Sequence, residues 1–212
     1  MTAPNSDGQD AQDMARLVAG GDAALNDLMG RHAEKLFHYL LRSLQDESDA
    51  ADLAQETFAK VYQSRAKFDA RQKFSTWLYA IASNLVRDKF RWRSRHRQVS
   101  LDAESEATGN NFRDALSGHG PSPSESLQTE ERAEAVRRAV AALPEDLRLP
   151  VILAEYEGRS QAEIAEILDC TPKAVEMRLY RARQQLRAVL SPALGRQHAR
   201  GVKLYDKPER NQ

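Results

Sequence analysis

The sequence predicts an all-α protein: two small helical units joined by a flexible linker. Three observations carry that reading. From Asp10 to about Arg97, apolar residues recur at helical spacing, strand-like alternation is almost absent, and the stretch contains no proline. Residues 99–128 then lose periodicity, and "DAESEATGNNFRDALSGHGPSPSES" is rich in Ser, Gly, Asp, Glu and Pro, the composition of a flexible acidic linker. Helical spacing returns from about Thr129 to Leu190. The expected division is a disordered 1–9, a first unit over 10–98, a linker over 99–128, a second unit over 129–190 and a basic tail over 191–212.

In the first unit, "DESDAADLAQETFAKVYQ" reads as an amphipathic helix. Leu53, Phe58, Val61 and Tyr62 supply its apolar side, and Asp49, Asp52, Gln55, Glu56 and Lys60 its polar side. An acidic polar face of this kind is usually just solvated, so by itself it does not point to a partner. The segment "FSTWLYAIASNLVRDKFRWRSRHR" is more unusual. Trp77, Leu78, Ile81, Ala82 and Leu85 keep helical spacing and belong to the core or its rim. Then come Arg87, Lys89, Arg91, Arg93, Arg95 and Arg97, interleaved with Phe90 and Trp92. Arginine matches phosphate geometry bidentately and aromatic faces stack on unpaired bases, so this stretch is a candidate nucleic-acid contact.

In the second unit, Ser160 and Glu163 fit a capping box at a helix start, followed by the apolar face of Ile164, Ala165, Ile167 and Leu168. Asp169 suits the left-handed turn that ends this helix. Thr171 is a good N-cap for the next one, and Pro172 occupies its first position, where a missing N–H costs nothing. Two helices across so short a turn describe a helix-turn-helix, with the second helix running from Pro172 to about Leu190. At about 100° per residue, Val175, Leu179, Ala182 and Leu186 share the buried face. Lys173, Met177, Tyr180, Arg181 and Gln184 point outward, Glu176 and Arg183 flank one side, and Arg178 flanks the other. The N-terminal end of such a helix enters the major groove. Glu176 and Met177 stand among the cations. A carboxylate can accept from the cytosine amino group and a thioether can pack on a thymine methyl, or Glu176 can simply pair with Lys173 or Arg183.

Charge and cysteine usage narrow the classes further. Formal net charge is +0, so no global field attracts nucleic acid. The distribution is uneven: residues 1–70 carry 12 acids and 7 bases, residues 71–100 carry 8 bases with only Asp88 against them, and residues 101–135 carry 8 acids and 2 bases. Cys170 is the only cysteine, which rules out an intramolecular disulfide and a multi-cysteine zinc site and fits a reducing compartment. The polar, acidic N-terminus is unlike a secretory signal peptide, and no apolar run approaches the roughly 20 residues of a membrane helix. The expected location is cytoplasmic, without membrane insertion.

With these residues in place, the sequence resembles the extracytoplasmic-function (ECF) subgroup of the bacterial sigma-70 family of RNA polymerase sigma factors. The resemblance covers about residues 10–190 and rests on four stretches in order: "DAADLAQETFAKVY", "FSTWLYAIASNLVRDKFR", "ALPEDLRLPVILAEYEGRSQAEIAEIL" and "TPKAVEMRLYRARQQL". It implies that the first unit is sigma region 2. There Asp49, Asp52, Gln55 and Glu56 would bind the clamp of the polymerase beta-prime subunit. The next helix would open and read the -10 element as single strand through Asn84, Arg87, Lys89, Arg91, Trp92 and Arg93. Asn84 matches a position that lines a pocket for a flipped base, where an amide can both donate and accept. The second unit would be sigma region 4, bound to the beta flap. Thr171, Lys173, Glu176, Met177, Arg178, Tyr180 and Arg181 would meet the -35 element. Some family members carry Arg-Ser where this chain has Glu176-Met177, so their promoter sequence is not carried over. The resemblance further implies an anti-sigma factor as partner, a stress-response role, and neither cofactor, metal nor small-molecule substrate.

Two other readings compete. A helix-turn-helix regulator acting without core polymerase would bind duplex half-sites as a dimer. An enzyme lacks support: the sequence has no G-x-x-x-x-G-K loop and no G-x-S-x-G elbow, and His32, His38, His96, His119 and His198 show no ligand spacing. For Cys170, in the turn of the helix-turn-helix, a small apolar role is expected.

Overall fold

The computed structural model describes residues 6–97 and 123–193, all of whose regular elements are helical. The first unit is α1 (Ser6–Val18), α2 (Ala23–Leu44), α3 (Glu47–Gln63), a single 3-10 turn (Arg65–Lys67) and α4 (Phe74–Arg97). The second is α5 (Pro123–Ala141), α6 (Glu145–Val151), a π-helical stretch (Ile152–Tyr156), α7 (Gln161–Ile167) and α8 (Pro172–Ala193). The all-α expectation holds. The boundaries differ at the edges. α1 begins at Ser6 within the segment expected to be disordered, α5 takes in the last residues assigned to the linker, and α8 extends past Leu190 through Pro192. The remainder of the linker and the tail after Ala193 lie outside the described residues.

Local chemistry sets the joints. α1 ends in a Schellman motif: Gly21 N–H reaches the Arg16 carbonyl at 2.9 Å and Gly20 N–H the Leu17 carbonyl at 3.2 Å. That closure needs a left-handed residue, and Gly20 supplies φ 93. α2 ends on Gln45 at φ 58, and Asp46 then caps α3 by accepting from Asp49 N–H at 2.8 Å. Ionic contacts fasten α1 across α2. Arg31 Nε donates to Asp10 at 2.8 Å, a second Arg31 nitrogen pairs with Asp13, and His32 Nε2 meets Asp10 at 2.8 Å. Burial pushes His32 below its ordinary range despite that carboxylate.

The core of the first unit interleaves Leu17, Leu36, Leu40, Val61, Leu78 and Val86, all essentially inaccessible. One hydroxyl chain runs through it. Ser83 Oγ donates to the Tyr79 carbonyl at 2.6 Å, which leaves Tyr39 to donate to Ser83 Oγ at 2.7 Å. Burial pushes the Tyr39 phenol up to about 12, so it stays a donor.

The two units pack against each other through α2 and α4 on one side and α6, α7 and the π-helical stretch on the other. Pro150 sits inside α6, where it offers no N–H to the preceding turn. The helix then widens, and Glu157 N–H reaches back to the Ile152 carbonyl at 3.2 Å. The widened turn delivers Tyr156, Glu157 and Arg159 to the first unit. Tyr79 Oη donates to Glu157 Oε2 at 2.6 Å, Arg42 lies 3.7 Å from Glu157 and 4.6 Å from the Tyr156 ring centre, and Arg159 donates to Ser75 Oγ at 3.0 Å. Arg148 adds a bond to the Ser43 carbonyl at 2.9 Å. Burial, with the Glu157 charge beside it, drives the Tyr79 phenol upward, so Tyr79 is the donor in that contact.

Candidate nucleic-acid interface

The helix-turn-helix forms as its capping residues dictate. Ser160 and Glu163 make the full reciprocal box. The backbone N–H of Ser160, followed by its hydroxyl and Lys73, holds the Glu163 carboxyl down at about 2. Asp169 turns with φ 49, and Cys170 N–H closes the motif on the Ala165 carbonyl at 2.9 Å. Ala174 N–H then donates to Thr171 Oγ1 at 3.2 Å, so Thr171 is the N-cap of α8. Val175, Leu179 and Ala182 are buried and Leu186 half-buried, as the wheel requires.

The opposite face of α8 presents Lys173, Met177, Tyr180 and Arg181 to solvent. Tyr180 is 59% exposed and Met177 41%. Lys173 Nζ donates to both Glu176 oxygens at 2.9 Å, so the pairing alternative for Glu176 is present in the folded chain. Arg178 turns aside: its Nη1 donates to Cys170 Sγ at 3.4 Å. Arg183 bonds Glu155 at 2.9 Å and ties α8 to the widened turn.

On α4, Asn84, Arg91 and Trp92 are exposed, with Trp92 at 49%. Trp92 stacks on His96 with ring centres 4.2 Å apart, a pairing the sequence reading did not single out. Arg91 pairs with Asp88 at 2.5 Å along the same helix. The other expected contacts lie elsewhere. Lys89 Nζ sits 2.7 Å from Asp49, and Arg93 pairs with the same carboxylate. Arg87 and Arg178, expected on different promoter elements, line one cavity of about 350 Å³ between the units, together with Glu145 and Leu168. On α3, Asp52, Gln55 and Glu56 are exposed, whereas Asp49 is half-buried. Burial raises the Asp49 carboxyl, but the Lys89 hydrogen bond and the Arg93 charge outweigh it and hold it low. Sequence reasoning missed Tyr79, Arg148 and Glu157, whose partners lie far along the chain.

Among the described residues, no group of three or more His, Cys, Asp or Glu is placed to hold a metal ion, and no helix is long and apolar enough to cross a membrane. The candidate interface is a pair of exposed surfaces: the outward face of α8 in one unit and the aromatic-basic end of α4 in the other.

Comparison with known proteins converges on the same assignment. The family model for sigma-70 region 2 matches residues 28–97, and that for sigma-70, region 4 matches residues 133–186. The RNA polymerase sigma-H factor of Pseudomonas aeruginosa is 32% identical over 186 residues, covering 88% of this chain and 96% of that protein. The ECF RNA polymerase sigma factor SigW of Bacillus subtilis is 31% identical over 172 residues, covering 81% of this chain and 91% of that protein. Among solved structures, the sigma factor RpoE in complex with the anti-sigma factor NepR from Bartonella quintana superposes with a TM-score of 0.63 at 22% identity, covering 78% of this chain and 95% of that one, which speaks to the fold. With both regions in order on one chain and relatives matched over nearly their full length, the protein belongs to the ECF group of the sigma-70 family and is an RNA polymerase sigma factor.

Proposed function

We propose that this sigma factor divides promoter reading between its outward helical faces and itself performs no catalysis. The observation that carries the proposal is the α8 surface. Lys173, Met177, Tyr180 and Arg181 face solvent at the N-terminal half of the second helix of a helix-turn-helix, the part that reaches base edges in the major groove. This face reads the -35 element, with Thr171 fixing the helix start and the Lys173–Glu176 pair at its edge. The exposed Asn84, Arg91 and Trp92 of α4 meet the -10 element as single strand, Asn84 receiving a flipped base and Trp92 offering a stacking face. The exposed Asp52, Gln55 and Glu56 of α3 dock on the beta-prime clamp, and the second unit on the beta flap. The protein works in the cytoplasm in stress-responsive transcription, without cofactor. An anti-sigma factor holds it in check, as the complex of its structural relative with NepR suggests.

Run-off transcription with purified core polymerase on a library of genomic fragments tests the function and yields the promoter. Added sigma factor should generate discrete transcripts, and their absence overturns the reading. Stable dimeric binding of the isolated protein to specific duplex would instead favour a polymerase-independent regulator. Asn84→Ala should retain core binding but lose permanganate reactivity at the -10 element, and normal melting would remove Asn84 from the pocket.

A further inference from the structure

Resting on that reading, we infer that Asp49 is a positioning residue that sorts the cations of α4, holding Lys89 and Arg93 inward so that Arg91 and Arg95 are the ones turned to DNA phosphates. The sequence sets up the division. The basic residues of α4 occur at every second position, and positions two apart on a helix are rotated by about 200°. Arg87, Arg91 and Arg95 therefore fall on one side, and Lys89 and Arg93 on nearly the opposite one.

A single carboxylate gathers the second set. Lys89 Nζ lies 2.7 Å from Asp49 Oδ1, and Arg93 Nη2 pairs with Asp49 Oδ2. Arg93 is held further by the Leu44 carbonyl at 3.4 Å and by Asp46 at 3.9 Å. Asp49 is fixed in turn, because its own N–H donates to the Asp46 cap and it lies in the first turn of α3, where a helix favours negative charge. Its side chain is only 18% exposed, against 69% for Arg91. Arg91 pairs with the exposed Asp88 of its own helix, the kind of pair that solvent weakens, and its charge also reaches Glu145. Arg95 is exposed and, among the described residues, bonds a backbone carbonyl, that of Arg91, at 3.3 Å.

The arrangement does more than hide two charges. Lys89 Nζ also lies 5.7 Å from the Trp92 ring centre, so the lysine held by Asp49 borders the aromatic face proposed to stack on a base. Asp49 thereby joins the first turn of α3, the helix proposed to dock on polymerase, to the half of α4 proposed to read the promoter.

The test is the salt dependence of promoter binding by reconstituted holoenzyme, with a labelled fragment bearing a promoter recovered by run-off transcription. Each phosphate contact contributes about 0.7 to 0.9 to the slope of log affinity against log salt. Arg91→Ala and Arg95→Ala should each lower the slope by about that amount. Lys89→Met and Arg93→Met should leave it unchanged. Asp49→Asn should steepen it, by up to about twice the single-contact value, because two cations are released toward the DNA. Asp49→Glu, which keeps the charge, should restore the slope toward that of the parent, and thermal melting of each variant monitors folding. A loss of slope in Lys89→Met equal to that in Arg91→Ala overturns the proposal. So does an Asp49→Asn protein with an unchanged slope and weakened core assembly, which would make Asp49 a polymerase contact. Holoenzyme that fails to retain the promoter at all condemns the sigma reading itself, a result separate from any redistribution of slopes.

Discussion

The two helices proposed to face the promoter arrange their charges in different ways. On its outward face α8 neutralises Lys173 locally, through Glu176 three residues away, and its flanking Arg183 pairs with a distant carboxylate, Glu155. α4 carries a denser cationic run and neutralises part of it at a distance, through Asp49 on another helix. α8 is oriented mainly by its buried Val175, Leu179 and Ala182 face, with an ionic tie at Arg183. The α4 segment projects past its own apolar stripe, so ionic contacts to the α2–α3 corner help to fix where its side chains point.

On α8, inside and outside lie at adjacent residues. Leu179 is 3% exposed and Tyr180 59%. Leu179→Ala should destabilise the protein by about 2–5 kcal/mol through lost burial and the cavity left behind. Tyr180→Ala should change stability by no more than about 0.5 kcal/mol while weakening -35 binding. Denaturant unfolding of both variants checks the contrast, and comparable losses would mean that the outward face of α8 is packed.

Next in size is the contact that joins the two units. Tyr79→Phe and Glu157→Gln, combined in a double-mutant cycle, should show a coupling of about 1.5–3 kcal/mol, the range for a hydrogen bond to a charged group. A coupling near zero would mean that the two units do not hold each other through this contact in solution.

The α8 unit was legible in the sequence because its determinants are local. Ser160 with Glu163, Asp169, Thr171 and the Val175–Leu179–Ala182 face all act within a turn or two of themselves. The wheel of α8 therefore became its surface. The same method applied to α4 correctly placed Leu78, Ala82 and Leu85 in the core. It could not foresee that Lys89 and Arg93 turn to a carboxylate some forty residues earlier, nor that Tyr79 is spent on Glu157. Those pairings depend on how helices cross, which periodicity does not encode. Arg87 and Arg178 meet one cavity for the same reason.

A smaller effect, readable through pH, concerns the cap of α7. Glu163 is held at about 2 in the folded protein against 4.5 for an unperturbed glutamate. A lowered folded value means that the charged form stabilises the fold. That contribution is complete above about pH 4.5 and fades as pH falls toward about 2. Glu163→Gln should therefore cost about 0.5–2 kcal/mol near neutrality, and the gap from the parent should narrow as acid protonates Glu163. Thermal melting of both proteins between about pH 6 and about pH 2 follows that gap. A gap that stays constant would assign the effect to packing rather than to the charged cap.

The smallest expected change tests the local neutralisation on α8. Glu176 is bonded at 2.9 Å through both oxygens to Lys173, and both side chains are more than half exposed. An exposed pair three residues apart on a helix contributes about 0.2–0.5 kcal/mol, so Glu176→Gln should leave the unfolding midpoint nearly unchanged. A base contact is worth more, about 1–3 kcal/mol of discrimination at one position. That exceeds the strength of the pair, so a cytosine amino group presented at the -35 element can draw the carboxylate away from Lys173. Binding of the Glu176→Gln holoenzyme to promoters varied one base pair at a time separates the two roles. Loss of preference confined to one position identifies Glu176 as a reader, and uniform affinity across the set leaves it as the local counter-charge of Lys173.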